Sequence, residues 1–438
     1  MSSYGSWGRY PRADPLEIIS LTPGQELPQR GRPFLPYGQG RSYGDVCLNN
    51  HNILLNTANL NEIQFDEKRG RIRSGSGLTL KEVLRVTVPA GWFLPVTPGT
   101  QFVTIGGAIA NDVHGKNHHR VGTFGTHVAQ FELMRSNGER FVCSPQKNSG
   151  YYRATIGGLG LTGLITWADI QLKKISSPWI EMESIPFANL DEFLQLSHGS
   201  EREYEYTVSW IDTTSVGSNG PRGIFIRGNH AAEEKSDGPV PAERSLSVPF
   251  DMPFSLFNPL TIRLFNEFYY HMQRKSAGKR RAYYRPFFYP LDAFLHWNRL
   301  YGRRGFFQYQ CVVPFEHARA TINELLRRSR DSRAVSGLSV VKTFGAVPSP
   351  GMLSFPMPGV TLALDFYYRN DALLTLFDTF DRLVLEAGGR VYPAKDARMG
   401  AGTFQRQFPE FERFKEFVDP NFSSDFWRRV SRIVESAQ

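Results

Sequence analysis

PGTQFVTIGGAIANDVHGKNHHRVGTFGTHV, residues 98–128, is the stretch that carries the strongest signal for fold and function. Glycine has no Cβ, so its backbone reaches positive φ and a ligand can approach the main chain closely. Six glycines recur in this stretch, and four histidines and a lysine lie among them: His114, Lys116, His118, His119 and His127. This combination predicts a segment that binds a cofactor and supplies chemistry, rather than a buried strand.

Two further glycine-rich stretches lie nearby. Residues 36–45 read PYGQGRSYGD, and their glycines with Arg41 and Ser42 can form a nest of backbone N–H groups for a phosphate. Residues 156–165 read IGGLGLTGLI. None of the stretches is followed by the Gly-Lys-Ser/Thr of a Walker loop. None shows the order of a Rossmann site, which is a strand, then Gly-x-Gly-x-x-Gly, then a helix. Tight turns explain any one of them equally well, but three within the first 165 residues favour a dinucleotide site.

The composition is that of a globular protein with two or three domains. The chain has 438 residues, of which 41% are hydrophobic and 21% are charged. The cysteines Cys47, Cys143 and Cys311 are odd in number and far apart, which argues against a disulfide framework and fits a reducing compartment. No Cys-x-x-Cys pair is present, and no metal site is predicted.

Charge and hydropathy limit the partners. The net charge of +9 fits an anionic ligand, an acidic membrane face, nucleic acid or merely a solvated basic surface. The basic residues are dispersed and form no recognised motif, so no nucleic-acid partner is expected. The N-terminus lacks an apolar signal region, and no apolar run approaches the roughly 20 residues of a membrane helix. We expect a cytoplasmic protein that is at most peripheral on the inner membrane face.

The periodicity predicts an α+β domain over 1–175 and a second segment over 176–389, in which a helix is closed by Gly388-Gly389. Residues 390–438 remain after these two segments. In the first segment, Asn137-Gly138 predicts a hairpin turn between two strands. Strands are predicted at 53–56, 128–136, 140–144, 163–172, 204–212, 223–227, 306–314, 340–343 and 361–367, and helices at 80–88, 317–328, 370–387 and 423–436. Residues 213–245 are interpreted as a mobile loop around the short strand at 223–227.

Residues 246–290 stand out by their side chains. Aromatic residues are followed by a basic run: Phe250, Phe254, Phe257, Phe265, Phe268, Tyr269 and Tyr270, then Arg274, Lys275, Lys279, Arg280 and Arg281. Such a stretch suits a lipid tail and a phosphate near an acidic membrane. A helical hairpin packed on its own domain explains it equally well.

Several of these stretches together resemble flavoproteins of the vanillyl-alcohol-oxidase or p-cresol methylhydroxylase (PCMH) type. The resemblance is closest to decaprenylphosphoryl-β-D-ribose 2′-oxidases, and it rests on GGAIANDVHGKNHH (106–119), GRSYGD (40–45), WNRLYG (297–302), QYQ (308–310), LSFP (353–356) and GGRVYPAKD (388–396). It implies two domains, an N-terminal α+β domain that wraps non-covalent FAD and a substrate domain built on an antiparallel sheet with flanking helices. The segment after about residue 390 then returns to the FAD domain.

The resemblance also implies which residues contact the cofactor. They come from the three glycine-rich stretches and from the segment near residue 392: Tyr37, Gly38, Gly40, Arg41, Ser42, Tyr43, Gly44, Pro98, Gly99, Thr100, Thr104, Gly106, Gly107, Ala108, Asn111, His114, Gly115, Asn117, Gly122, Thr123, Gly160, Ile165 and Tyr392. Some relatives bond FAD covalently to a histidine. Here the resemblance implies a substrate-side role for His114 instead.

Alcohol oxidation needs a base that takes the hydroxyl proton while a hydride leaves the carbon. Lys395 follows an apolar strand, where the residues alone favour a surface lysine. The resemblance favours a catalytic lysine at this position, because it matches the lysine that the family needs for activity. Burial can lower the pKa of a lysine towards working pH. Asp365 either orients such a lysine or caps a turn.

The substrate pocket is predicted from the second segment. Gln308 and Gln310 are two apart and share one face of a strand, which is either a solvent-facing edge or a polar pair in a pocket. The resemblance places them in the sugar pocket with Lys342 opposite, and it adds Lys116, Trp210, Phe288, Thr361 and Ala363. Without it, Trp210 and Phe288 are better explained as core aromatics. Mycobacterial members carry an aromatic hydroxyl, an asparagine and a cysteine where this chain has Phe288, Thr361 and Ala363.

The function implied by the resemblance is oxidation of a sugar hydroxyl to a ketone by hydride transfer to flavin. The expected substrate is a polyprenyl-phosphate-linked pentose, oxidised at its 2′-hydroxyl in an epimerisation pathway. Quinone or oxygen is the expected electron acceptor, with a short-chain reductase as partner. The alternative within the same fold is a soluble aldonolactone or sugar-alcohol oxidase that uses oxygen.

Overall fold

A computed structural model describes residues 4–215, 220–232, 240–243, 245–253, 255 and 257–432 of the chain. Three short parallel strands begin it in the order β1-β3-β2: β1 (Glu17–Ser20), β2 (Phe34–Tyr37) and β3 (Ile53–Asn56). A five-stranded antiparallel sheet follows in the order β4-β5-β9-β7-β8, with β4 (Ile63–Asp66), β5 (Arg71–Gly75), β7 (Val128–Met134), β8 (Arg140–Cys143) and β9 (Leu164–Gln171). The short strands β6 (Trp92–Phe93) and β10 (Lys173–Lys174) pair beside it.

Local sequence signals explain the helices and turns of this region. The helices are α1 (Leu80–Thr87), α2 (Ile105–Ala110), α3 (His118–Val121) and α4 (Ser149–Thr155). Helix α1 begins with a capping box, in which Thr79 accepts a hydrogen bond from the backbone of Glu82 and the Glu82 carboxylate accepts one in return. The hairpin turn between β7 and β8 has Gly138 at φ 88°, a conformation that glycine adopts without strain. The predicted helix at 80–88 and the predicted hairpin are therefore confirmed.

An eight-stranded antiparallel sheet dominates the second region, in the order β15-β11-β13-β12-β18-β19-β17-β20. Its strands are β11 (Trp179–Phe187), β12 (Tyr206–Ile211), β13 (Gly223–His230), β15 (Gly278–Tyr283), β17 (Phe306–Val313), β18 (Ser336–Phe344), β19 (Gly359–Tyr367) and β20 (Arg390–Val391). The short strands β14 (Leu246–Ser247) and β16 (Phe294–Leu295) form a separate parallel pair.

Helices flank this sheet and close the chain. They are α5 (Leu190–Ser200), α6 (Pro259–Lys275), α7 (Tyr284–Phe288), α8 (Phe315–Asp331), α9 (Ala372–Glu386), α10 (Ala401–Gln407), α11 (Phe411–Lys415) and α12 (Asp425–Val430). Short 3₁₀ turns lie at Asp45–Cys47, Phe124–His127, Pro290–Ala293, Trp297–Tyr301 and Pro393–Lys395. In the part of the chain that these elements cover, no helix combines the length and apolarity needed to cross a membrane.

The two faces of the large sheet have different neighbours, and this difference positions the site. Alternate residues of a strand point to opposite faces. On β17, the side chains of Phe307, Tyr309, Cys311 and Val313 join the core that includes α8 and α9. The alternate set on β17, which contains Gln308 and Gln310, therefore points away from this helical layer. Strand β19 follows the same pattern, with Leu362 and Leu364 in the core.

Most predicted elements of the second region are confirmed, with corrections around α6. The structure shows strands at β12, β13, β17, β18 and β19 and helices at α8 and α9, where the sequence predicts them. Strand β13 is longer than the predicted 223–227. Of the two alternatives for 246–290, the helical hairpin is wrong, because α6 ends at Lys275 and is followed by the edge strand β15, which carries Lys279, Arg280 and Arg281. Phe254 lies outside the described residues.

The C-terminal segment packs against the N-terminal strands. The backbone N–H of Phe34 donates to Asn421, and that of Ser423 donates to Phe34. Arg429 forms an ion pair with Asp45 at 2.7 Å. The predicted last helix, 423–436, is present as α12, capped by Ser424, and residues 433–436 lie outside the described residues. The division at 175 and 389 stays a prediction, and the two large sheets lie within 63–171 and 179–391.

Candidate active site

A cavity of about 1130 Å³ lies between the glycine-rich stretches and the face of the large sheet that points away from α8 and α9. Pockets for single small ligands typically enclose about 300–1,000 Å³. The cavity is therefore large enough for an extended ligand together with a second molecule. Segments from both regions of the chain line it, so neither region forms the site alone.

Most of the predicted site residues line this cavity. All of the predicted catalytic and substrate residues do: Lys395, His114, Lys116, Trp210, Phe288, Gln308, Gln310, Lys342, Thr361 and Ala363. Of the predicted cofactor residues, the lining includes Gly38, Gly40, Arg41, Ser42, Tyr43, Pro98, Gly99, Thr100, Thr104, Gly106, Gly107, Asn111, Gly115, Gly160, Ile165 and Tyr392. Tyr37, Gly44, Ala108, Asn117, Gly122 and Thr123 lie behind it.

The residues behind the lining hold the glycine-rich stretches in place. The hydroxyl of Tyr37 donates to the carbonyl of Gly5 at 2.8 Å and lies under Gly40, where a Cβ would approach it to 2.1 Å. The amide of Asn117 donates to the carbonyl of Pro95 at 2.8 Å. At Gly44, a Cβ would meet the carbonyl oxygen of Asp396 at 1.6 Å. These residues therefore support the cavity wall through packing.

Lys395 lies on the 3₁₀ turn that follows β20, beside the glycine-rich stretch 36–45. The backbone N–H of Tyr43 donates to the carbonyl of Ala394 at 2.9 Å, which joins the 36–45 loop to this turn. The Lys395 ammonium group lies 3.7 Å from the centroid of the Tyr43 ring. Asp365 is fully buried nearby on β19, and the Gln308 amide donates to its Oδ1. Its Oδ2 is buried without a hydrogen-bond partner among the described residues.

Burial changes the ionisation of this pair. Desolvation lowers the pKa of Lys395, and the nearby charge of Asp365 opposes that fall. Desolvation likewise raises the pKa of Asp365, which the hydrogen bond from Gln308 and the charge of Lys395 oppose. The neutral amine is therefore more populated here than on a surface lysine. Of the two roles predicted for Asp365, the geometry favours orienting a lysine.

His114 is held as a neutral imidazole. Burial lowers its pKa well below the ordinary range, and the charges of Lys342, His118 and Lys395 lower it further. The Gln310 amide lies 3.1 Å from His114 Nε2 and also donates to the Thr361 hydroxyl. An amide N–H₂ is a donor, so Nε2 accepts and Nδ1 carries the proton. Nδ1 is buried without a partner among the described residues, and it can donate to a ligand.

Two further lysines share the cavity. Lys342 on β18 donates to the carbonyl of Gly115 at 3.1 Å, and burial together with the charges of Lys116 and Lys395 lowers its pKa to about 7. Lys116 donates to the carbonyl of Phe288 at 3.3 Å, and burial lowers its pKa to about 8. An anion in the cavity would raise all three lysine pKa values, so the site favours a negatively charged ligand.

Several lining residues were not predicted from the sequence. The Arg41 guanidinium lies 4.3 Å from the ring of Trp7 and 5.1 Å from the ring of Phe102. Asp292 accepts a hydrogen bond from the backbone N–H of Gln101. Burial lowers the pKa of Arg41, and the charge of Asp292 opposes part of that fall. Trp7 and Asp292 are far from Arg41 along the chain, and no local motif indicates either.

The comparisons with known proteins agree with this geometry. Residues 25–144 match the family described as FAD binding domain. The decaprenylphosphoryl-β-D-ribose oxidase of Mycolicibacterium smegmatis is 36% identical, over 96% of this chain and 94% of its own length. The chain belongs to the decaprenylphosphoryl-β-D-ribose oxidase family.

Other relatives are less informative about this oxidase family member. An uncharacterized protein of Streptomyces coelicolor is 31% identical, over 81% of this chain and all of its own length. The Δ(24)-sterol reductase of Homo sapiens is 25% identical, over 36% of this chain and 31% of its own. The predicted two-domain α+β flavoprotein fold, FAD as cofactor and oxidoreductase activity are confirmed.

The residues of the cavity fit FAD. Arg41 Nε, Ser76 Oγ and Asn111 Oδ1 are buried at the lining without partners among the described residues, so the site offers both donors and acceptors. At Gly38 and Gly106, a Cβ would approach the side chains of Thr104 and Ser76 to 2.5 and 3.0 Å, which lets these segments pack closely. The glycine-rich loops around Arg41 and Gly99 would hold the cofactor.

Proposed function

We propose that this chain is an FAD-dependent oxidase that converts the 2′-hydroxyl of a polyprenyl-phosphate-linked pentose into a ketone, without a covalent bond to FAD. The observation that carries the proposal is the single cavity that joins glycine-rich stretches to a cluster of lysines, His114 and two glutamines. The relative from M. smegmatis bears the name of an enzyme that acts on decaprenylphosphoryl-β-D-ribose. Its alignment covers nearly the whole chain, so it includes both regions that line the cavity.

The chain's own residues can handle the hydroxyl proton. FAD, when bound, supplies the two-electron acceptor for the hydride that leaves the carbinol carbon. Lys395 Nζ accepts the hydroxyl proton in its neutral form, which burial favours. The neutral His114 donates from Nδ1 to the sugar oxygen and so orients it. The C–H and O–H bonds break, a C=O bond forms, and the substrate loses two electrons.

The polar side chains of the large sheet would position the sugar. Gln310 is fixed by His114 and Thr361, and Gln308 by Asp365, so both amides have set orientations. Lys342 and Lys116 would pair with the phosphate of the substrate, which would restore their positive charge. Trp210 and Phe288 would form apolar walls beside the sugar ring.

The wider context follows from the chemistry of the product. Oxidation to a ketone removes the configuration at the carbinol carbon, and reduction from the opposite face would give the epimer. A short-chain reductase would therefore complete the epimerisation. The reduced flavin would pass its electrons to a quinone or to oxygen. A lipid-linked substrate would bring the enzyme to a membrane surface, and we place it on the inner face.

Anaerobic reduction of the flavin tests the proposal. The purified protein is mixed with a short-chain prenylphosphoryl pentose, with the free pentose or with an aldonolactone, and the visible flavin absorbance is followed. The proposal expects rapid bleaching with the phosphorylated substrate alone, and one ketone formed per flavin reduced. Faster bleaching by the aldonolactone or by the free sugar would favour a soluble sugar oxidase and refute the assignment.

A further inference from the structure

Helix α6 presents an apolar surface to solvent on the side opposite to its packed face. Its buried residues are Ile262, Asn266 and Tyr270, spaced four apart along one stripe. A residue two positions further along an α-helix is turned by about 200°. Leu260, Leu264, Phe268 and Met272 are offset by two from that stripe, so they form a second stripe on the opposite side. These four residues are called the α6 stripe below.

The α6 stripe is well exposed, and the helix does not depend on burying it. Its four side chains are between 42% and 67% exposed, with Phe268 at 67% and Met272 at 42%. Asn258 caps the helix by accepting hydrogen bonds from the backbone of Leu260 and Thr261. Asn266 donates to Asp212 at 2.9 Å and anchors the helix from its inner side. An outward apolar stripe on a soluble surface helix is unusual and indicates an interaction site.

The helix lies at the rim of the cavity. Phe265 is 54% exposed and also lines the cavity, and its ring stacks on Tyr269 with centroids 5.8 Å apart. A side chain that is both exposed and part of the lining lies where the cavity opens. Phe294 has the same two properties, and its strand partner Leu246 is exposed as well. Apolar side chains of two separate elements therefore flank the opening.

The charge around the stripe is strongly positive. Between residues 258 and 281 the chain has six basic residues, Arg263, Arg274, Lys275, Lys279, Arg280 and Arg281, and a single carboxylate, Glu267. Glu267 is engaged by Arg222 and by His271, the latter at 2.8 Å. Apolar side chains surrounded by cations complement a bilayer with anionic headgroups. A symmetric contact between two copies would instead bring two such basic surfaces together.

We propose that the α6 stripe, with its flanking cations, docks the protein on an anionic lipid bilayer. Helix α6 would lie along the membrane surface with the stripe inserted among the acyl chains. The opening flanked by Phe265 and Phe294 would then face the bilayer, and a lipid tail could enter the cavity without crossing water. This surface would serve the lipid-linked substrate proposed above, but its binding to a bilayer is measurable without any substrate.

Co-sedimentation of the purified flavoprotein with vesicles tests the proposal. The wild-type protein is expected to bind phosphatidylglycerol vesicles and to bind phosphatidylcholine vesicles much more weakly. The triple variant Leu260→Gln, Leu264→Gln, Phe268→Gln is expected to bind phosphatidylglycerol at least about tenfold more weakly, because three apolar side chains no longer insert. The matched variant Leu16→Gln, Ile63→Gln, Val86→Gln removes three exposed apolar side chains elsewhere and should bind like the wild type.

A second variant tests the electrostatic part. Lys275→Gln with Lys279→Gln should weaken binding to phosphatidylglycerol by about 25-fold, which is about fivefold for each cation near an anionic surface. It should leave binding to phosphatidylcholine unchanged. Flavin absorbance and flavin reduction by a water-soluble short-chain substrate report on the catalytic site in the same preparations, so failure of the proposed function is seen separately.

Three results would overturn the proposal. The first is wild-type protein that does not bind phosphatidylglycerol vesicles, and the second is a stripe variant that binds them as tightly as the wild type. The third is a wild-type dimer that becomes monomeric in the stripe variant without a change in vesicle binding. That result would assign the α6 stripe to a second copy of the chain.

Discussion

Replacement of Lys395 by alanine should abolish substrate oxidation while FAD stays bound. Lys395 Nζ lies against the Tyr43 ring in the same cavity wall as Gln308 and Tyr392. The cofactor would be held mainly by the backbone of the glycine-rich stretches, so loss of one side chain from the substrate side should spare the flavin spectrum. Removal of a general base typically slows the chemical step by about 10²–10⁴-fold, and that loss should appear in the rate of flavin reduction.

The structure also sets the direction of the pH dependence. A lysine with the ordinary pKa of 10.5 is neutral in only about one molecule in 3,000 at pH 7. Burial lowers the Lys395 pKa, and each unit of lowering raises the neutral fraction about tenfold. Because the neutral amine is the base, the reduction rate should rise with pH and level off well below pH 10.5.

Stopped-flow bleaching under anaerobic conditions, measured across pH, checks both expectations. Lys342→Ala is the matched control, since it removes another buried lysine of the cavity and should mainly weaken substrate binding. A Lys395→Ala protein that bleaches at the wild-type rate would refute the assignment, and so would one that keeps the same pH profile. His114 would then become the candidate base.

The remaining predictions concern the partner of Lys395, the cofactor and the core. Asp365→Asn removes a charge that raises the Lys395 pKa, so the rising limb of the pH–rate profile should move to lower pH; a shift to higher pH would contradict the pairing. The purified protein should be yellow, and denaturation by acid should release all FAD into the supernatant; flavin that stays with the precipitate would show a covalent bond. Arg41→Ala should weaken FAD binding by about 1.5–3 kcal/mol, the value of charge-assisted hydrogen bonds, whereas Arg30→Ala, at an exposed arginine, should leave the titrated affinity unchanged. Leu362→Ala should lower the free energy of unfolding by about 2–5 kcal/mol because Leu362 is fully buried between β19 and the helices, while Leu16→Ala, on the surface, should change it by less than about 0.5 kcal/mol in denaturant titrations.

Features that depend on neighbours along the chain could be predicted from the sequence. The glycine-rich stretches, the hairpin at Asn137-Gly138 and the capped helices are encoded within a few residues. Strand periodicity placed Gln308 and Gln310 on one face, and the structure shows that this face lines the cavity. The family resemblance added the cofactor, because its motifs recur in the same order along most of the chain.

The packing of α6 could not be predicted in this way. Its aromatic and basic residues suggested either a lipid contact or a helical hairpin, and periodicity alone does not decide which face of a helix is covered. The edge strand β15 takes the place of a second helix because β11 leaves its edge free for pairing. Only the packed structure shows that Ile262, Asn266 and Tyr270 face inward and that the stripe two positions away does not.

The sequence by itself determined the cofactor class, the positions of the glycine-rich stretches and the types of residue available for catalysis. The tertiary structure decided which of them meet, because His114 and Gln310 are 196 residues apart and share a hydrogen bond only through the packing of two regions. It also decided the ionisation of the lysines. A pKa depends on how many distant segments exclude water from the amine, and no local pattern records that burial.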